Sequence, residues 1–447
     1  MISRLDAKSK DVIVDAVDFS TMPGTQAGIV NSRWNVVNLK NAFLERGPWE
    51  IILTNNSRSY LKLDRTWLVF SFKITNDKNE AVAQWGGLNN ETELCSYAPI
   101  NNIAHSIVKS FSLHLNSQLV YHDSTNYAYK SYLEQTLMHS QNIKDSSLQV
   151  SGYAHDSNIA NRNSAGYKAR CKWVNNGNVV QVAANLGIDL MNQSKVLYNG
   201  CNLKLTIYPN SSDFLIESLY NPNNVKFKFQ IQTVHALVNE YELSDQLSNA
   251  LERSILEHKL IQYPVVTGQV RSFFIGENRT DAPANTLFTS RMPRRLFMGL
   301  VTAEEYNGSA KTTPFNFQPH NIQDVNIDYC GLTVPGRPMN LDFKASKFLE
   351  PYIMLQEALG MPRNNTSTNS ISPGMFKQGG YTIFGFEFSP VALDNSLFDL
   401  VRQTNVSIRL NFNKETPKNG LYCVVYAEFD HIIGLDALRN PIIENVV

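Results

Sequence analysis

Glu304 with Glu305, and Glu242 with Asp245, are the nearest approach in this chain to the paired carboxylates that glycoside hydrolysis requires. That chemistry needs two acids facing each other across a cleft. Adjacency along a chain does not supply the geometry, so these pairs read as solvated surface charges. Nine histidines are scattered, and none falls in the H-x-H or H-E-x-x-H spacing that sets two imidazoles on one metal. The five cysteines, Cys95, Cys171, Cys201, Cys330 and Cys423, are far apart and form no C-x-x-C pair, so they read as buried or incidental thiols. There is no G-x-S-x-G elbow, no phosphate loop and no G-x-G-x-x-G turn, and Gly379-Gly380 signals a turn only. Arg291, Arg294 and Arg295 make the densest basic cluster. Nucleic-acid footprints are broader and interleaved with stacking aromatics, so these charges read as gatekeepers flanking the apolar run Leu296 to Leu300. The residues therefore point away from an enzyme: no catalytic residue, no cofactor site and no metal site is assigned.

What remains is a scaffold. At 447 residues the chain exceeds what one hydrophobic core usually supports, and two large domains fit it well. With 43% hydrophobic residues, 23 Phe and 19 Tyr, the composition suits pleated sheet better than a helix bundle. Forty Lys plus Arg balance forty Asp plus Glu, so the overall field attracts neither nucleic acid nor an anionic membrane, and no direct sequence-specific nucleic-acid binding is expected. No apolar run approaches the roughly 20 residues of a membrane span, and residues 1–15 lack the apolar core of a signal peptide. Synthesis in the cytosol is the expectation.

Strict apolar/polar alternation marks Val225 to Ile231, Val406 to Phe412, Phe111 to Leu115, Leu203 to Ile207, Val325 to Tyr329 and Phe384 to Phe388 as strands with one face in a core. Trp67 to Phe70 and Tyr422 to Tyr426 are apolar on both faces and suit strands in the middle of a sandwich. Helical spacing appears at Tyr129, Tyr132, Leu133 and Leu137, at Leu247, Ala250, Leu251 and Ile255, and at Phe348, Tyr352, Leu355 and Leu359. Ser244 is the N-cap expected for the middle one, which lies where a connector between two domains would be.

The two halves repeat one order of elements. Leu113 corresponds to Ile327, Tyr132 to Tyr352 and Leu203 to Val406, at offsets of 203 to 220 residues that loop insertions would spread. The reading is all-β: residues 49–243 as a first β domain, 244–256 as a connecting helix and 257–447 as a second. The Asn-, Ser- and Gly-rich stretches from Asn158 to Gly166 and from Arg363 to Gly374 read as surface loops. Residues 1–48 hold only small apolar islands, Val12 to Val14 and Val36-Val37, and read as an arm whose removal leaves both domains folded.

The stretch from about Leu260 to Asp342 resembles the major capsid proteins of Polinton (Maverick) elements and adintoviruses. The resemblance is carried by Tyr263-Pro264, Val270 to Phe273, Met292 to Val301, Glu305 to Ser309, Pro314 to Phe317 and the Asp324 to Val334 strand. In the first half, Ser59 to Asp64, Ser112 to Val120, Tyr129 to Glu134 and Asn199-Gly200 agree with it. The resemblance covers most of residues 50 to 440. It implies a double jelly roll, two tandem eight-stranded sandwiches with short crossover helices. It implies a structural protein of the virion that forms a homotrimer, a pseudo-hexagonal capsomer packing against neighbouring capsomers in an icosahedral shell around double-stranded DNA. The implied partners are a single-jelly-roll penton protein, a maturation protease and a packaging ATPase. Two other readings stay open on the residues alone: a β-sandwich binding module of lectin or attachment type, and a glycan-active hydrolase using Glu304 or Glu305.

Overall fold

The computed structural model describes residues 8, 14–19, 22–56, 58–84, 96–123, 126–161, 163–219, 221, 224–258, 260–289, 291–361, 369–394 and 397–443. The alternating segments form strands for the reason given by their pattern, one face closing a core and the other left outside. In the first half the main strands are β1 (Ile29–Asn38), β2 (Trp49–Thr54), β3 (Ser59–Asn76), β4 (Val108–Leu115), β5 (Gln118–Asp123), β6 (Val180–Asn185), β7 (Asn202–Pro209) and β8 (Phe227–Leu243). In the second they are β9 (Leu260–Ile275), β10 (Asp281–Phe288), β11 (Arg295–Thr302), β12 (Ile322–Tyr329), β13 (Leu332–Val334), β14 (Ile383–Glu387), β15 (Val406–Phe412) and β16 (Leu421–Asp436).

Sheet order establishes the topology. The first half pairs β1-β8-β3-β6 in one sheet and β2-β7-β4-β5 in the other; the second pairs β9-β16-β11-β14 and β10-β15-β12-β13. Counted from the start of each half, both orders are 1-8-3-6 and 2-7-4-5, the two-sheet arrangement of an eight-stranded jelly roll. All these pairings are antiparallel, and β9 runs beside β16 without a register break from Leu260↔Asp436 to Ile275↔Leu421. Leu203, Leu205 and Ile207 of β7 and Leu68, Phe70 and Phe72 of β3 are all buried in the first sandwich; Ile408, Leu410, Val424 and Val425 are buried in the second. Trp49 closes the first core, with no exposed surface and its indole N–H donating to the Leu44 carbonyl at 2.7 Å.

The helices fall where the spacing put them. Helix α1 (Tyr127–Met138) lies between the fifth and sixth strands of the first half, with Tyr129, Tyr132, Leu133 and Leu137 buried. Helix α2 (Ala165–Trp173) follows in the same connection. Helix α3 (Asp245–His258) joins β8 to β9, and the Ser244 hydroxyl accepts from the Leu247 N–H at 3.4 Å at its start. Helix α4 (Leu349–Ala358) occupies in the second half the connection that α1 occupies in the first.

Three local readings come out differently. Strand β1 lies within residues 1–48 and pairs with β8 from Ile29↔Leu243 to Asn38↔His235, although its residues are mostly exposed. An exposed edge strand buries too little to leave a clear alternation, which is why its pattern resembles an arm. Val12 and Ile13 lie outside the described residues. The polar stretches are partly interior: Ile159, Asn369 and Ile371 are buried, while residues 362–368 lie outside the described residues. Strand β14 is buried on both faces, because α4 packs on it. Gly385 permits that approach, since a Cβ there would stand 3.0 Å from the Leu355 Cα.

Candidate functional site

Most of the side chains that first suggested chemistry serve the scaffold. Glu305 reaches back to the Thr302 N–H at 2.7 Å while the Thr302 hydroxyl accepts from the Glu305 N–H, a capping box on the short helix Ala303–Asn307. Burial raises its carboxyl pKa, against hydrogen bonds from Thr302 and Asn316. Glu304 accepts from the Ser309 hydroxyl at the surface, and Asp245 stands 3.8 Å from Arg58, both exposed. No described group of three or more His, Cys, Asp or Glu could hold a metal ion. Cys171, Cys201 and Cys423 are buried and Cys330 is exposed; Cys95 lies outside the described residues. No helix among the described residues is long and apolar enough to cross a membrane.

The arginine cluster splits. Arg294 is buried, donating to Asp430 at 2.9 Å, to the Asp394 carbonyl at 2.8 Å and to the Val391 carbonyl. Arg295 pairs with Glu428 at 2.7 Å and donates to the Ala358 carbonyl at 3.2 Å. Two of the three charges therefore lock loops and helix ends onto the second sandwich, and do not guard an edge. A charge run carries no record of which partners will meet it.

The aromatic rings that meet between the two sandwiches come largely from α1. Tyr132 stacks on Phe315 with centroids 4.1 Å apart and rings within 2° of parallel. Tyr129 stacks on Tyr306, and Tyr306 on Tyr422 at 3.9 Å. The Tyr306 hydroxyl donates to Asn126 at 2.7 Å across the same boundary. Beside these rings lies a polar cluster that sequence reasoning missed. Lys130 donates to the Gly187 carbonyl at 2.7 Å and stands 3.6 Å from Glu134, one turn along α1. The Tyr426 hydroxyl lies 3.1 Å from Glu134 and 3.2 Å from Glu428, bridging one carboxylate from each sandwich. Gly268 leaves room for this meeting, since a Cβ would sit 2.7 Å from the Tyr426 ring and 2.9 Å from Lys130 Cε. Burial pushes the Glu134 carboxyl up to about 7 despite the opposing pull of Lys130. Burial also pulls the Lys130 ammonium down, but Glu134 and Asp189 outweigh it and hold its pKa above the ordinary value. The Lys130-x-x-x-Glu134 spacing was the available signal, a pair of opposite charges one turn apart on a helix rich in Tyr and Leu.

These elements enclose a cleft of about 860 Å³ between the sandwiches. Large apolar side chains are also left uncovered: Trp34 and Val36 on β1, and Leu397, Phe398, Leu400 and Val401 in the connection before β15, of which Phe398 also lines the cleft. Clusters of this kind mark surfaces that meet a partner.

No family model matches the chain. The uncharacterized protein F54H12.2 of Caenorhabditis elegans is 62% identical over 426 residues, covering 95% of this chain and 100% of its own length. A chain from the cryo-EM structure of the Sputnik virophage superposes over 100% of this chain and 95% of its own, with a TM-score of 0.64 at 12% identity. The mavirus major capsid protein superposes over 99% of this chain and 96% of its own, with a TM-score of 0.55 at 10% identity. For the Faustovirus major capsid protein the figures are 95%, 92%, 0.52 and 8%. At such identities the likeness is one of fold: the two-sandwich architecture runs the length of both molecules in each pair.

Proposed function

The chain belongs to the family of the Caenorhabditis elegans protein F54H12.2, and from its double jelly roll we propose that it is a major capsid protein, a structural subunit of a virion shell and not an enzyme. The observation that carries this reading is end-to-end likeness: the same pair of sandwiches spans nearly the whole of this chain and nearly the whole of the mavirus and Faustovirus major capsid proteins. A binding domain fused to something else would match over one part only.

In this reading three copies form a pseudo-hexagonal capsomer. Two like sandwiches standing side by side in each chain supply six similar blocks to a three-fold assembly, which is how a trimer presents a six-sided outline. Capsomers then tile an icosahedral shell around a double-stranded DNA genome, with a single-jelly-roll penton protein at the vertices. The family resemblance of the Met292 to Val301 and Glu305 to Ser309 segments favours a Polinton, Maverick or adintovirus origin within this lineage. The domain limits proposed are a first sandwich ending at residue 243, the connector at 244–256 and a second sandwich from 257. The even balance of charge supports a shell that does not itself condense the genome. The exposed apolar residues of β1 and of the Leu397 to Val401 loop are the surfaces offered to neighbouring subunits.

Electron microscopy of the purified chain tests the proposal. Hexagonal-outline capsomers, closing into shells at high concentration, are the expected images; isolated particles of single-chain size at every concentration would overturn it.

A further inference from the structure

We propose that the arm ahead of β1 docks on a second copy of this chain, with Phe19 seated in a pocket of the neighbour's second sandwich and Asp18 at the pocket's basic mouth. The inference rests on the capsid reading for its partner and adds to that reading which surfaces meet. The arm supplies the first observation. Phe19 is 93% exposed, and Val14, Val17 and Met22 on the same segment are exposed with it. None of the described residues between 14 and 28 belongs to the core of either sandwich. Large apolar side chains gathered on one short segment and left bare by their own chain mark a segment that meets a partner.

The second observation is a pocket of matching size and lining. It lies between β9, the end of β10 and β16, with a volume of about 280 Å³. That is under the roughly 300–1,000 Å³ of small-molecule sites and suits a single large side chain. Leu287, Phe288 and Phe429 line it, and the two rings stand 5.3 Å apart at 59°, so that a third ring can join them edge to face. The exposed Leu400 and Val401 border it, in a hollow that shares Arg291, Phe429 and Asp430 with the pocket. They offer apolar cover to Val17 and Met22.

The third is charge. Residues 11–24 hold three Asp and no Lys or Arg. Arg271 and Arg291 line the pocket against one carboxylate, Asp430, which Arg294 already pairs at 2.9 Å. An acidic, apolar segment and a basic, apolar pocket are complementary, and complementary charge fixes register as well as attraction. Placement then selects a neighbouring copy. The arm springs from the first sandwich, where β1 pairs with β8, while the pocket belongs to the second. A contact between two unlike patches runs head to tail, and it closes into a ring when each copy gives its arm to the next, as three copies do in the proposed capsomer.

The experiment is photocrosslinking of the full-length chain with p-benzoylphenylalanine placed at position 19, an exposed site where the change leaves both cores alone. On a denaturing gel, irradiation is expected to give covalent species at two and three times the chain mass, with peptide mapping placing the link within residues 267–271, 287–289 or 429–431. Arg271→Glu, a change at an exposed residue, should cut the yield about fivefold, and adding Asp18→Arg should restore it. Links confined to a single chain, links to other surfaces or no link at all would overturn the proposal. So would a yield that Arg271→Glu leaves unchanged or that Asp18→Arg fails to restore. Native mass spectrometry of the same samples separates the two claims: trimers without the link remove the docking alone, and single chains throughout remove the capsomer with it.

Discussion

Glu134 holds its proton into the neutral range because its carboxyl is withdrawn from water at the meeting of the two sandwiches, with Lys130 beside it and Tyr426, Glu428 and Asp189 around it. Its folded pKa is about 7, above the ordinary 4.5. A carboxyl raised on folding favours the folded chain most below its unfolded value, and that advantage is lost as pH rises from about 4.5 through 7. Glu134→Gln keeps an acceptor for Tyr426 without the charge. Denaturant titrations should therefore show the variant gaining on the parent between pH 5 and pH 8; a gap that does not move with pH would remove Glu134 from this role. Arg294 makes a second residue-scale prediction. Its buried guanidinium holds the partly exposed Asp430 and two carbonyls of the loop after β14. Arg294→Ala leaves the Asp430 carboxylate only the Asp399 N–H and frees the loop, and should cost about 2–4 kcal/mol of unfolding free energy. A loss under about 1 kcal/mol would return Arg294 to the ordinary surface charge that its neighbours in sequence suggest.

At the scale of elements, the strands and three crossover or connector helices were legible because each buries a stripe against something, and a stripe leaves a period in the sequence. Val406 to Phe412 alternates and is a strand; Tyr129, Tyr132, Leu133 and Leu137 recur at helical spacing and are a buried helix face. Strand β1 was not legible, since Ile29 and Val37 are only partly covered while Trp34 and Val36 point out. The cleft was not legible either. Gln135 and Glu134 of α1, Asn185 at the end of β6, Asp189 beyond it and Tyr426 of β16 line it together only through the topology. Strand β1 also changes what truncation should do. Removing residues 1–28 should leave the melting temperature unchanged, whereas removing residues 1–38 strips the ladder from β8 between Leu243 and His235 and should lower it by roughly 2–8 °C. Equal melting of the two truncations would mean that β1 adds no stability and acts only as a surface for neighbours.

At the scale of the whole molecule, the repeat was readable as a sequence of elements before any pairing was known. The matches of Leu113 with Ile327, Tyr132 with Tyr352 and Leu203 with Val406 fall on the fourth strand, the crossover helix and the seventh strand of each sandwich. Spacing could not reveal how the sandwiches join. The joint is made of stacked tyrosines, a bridged carboxylate pair and one glycine, Gly268, that admits close contact, and residues of those types occur in every protein. Those stacked rings and shared hydrogen bonds hold two similar halves together beside the cleft, and two like halves per chain are what the proposed pseudo-six-fold capsomer needs from each of three copies. Native mass spectrometry of the purified full-length chain tests that claim most directly. The proposed trimer gives a dominant species at three times the 50.5 kDa chain mass, persisting on dilution; a species at the single-chain mass across the whole concentration range would rule the trimer out.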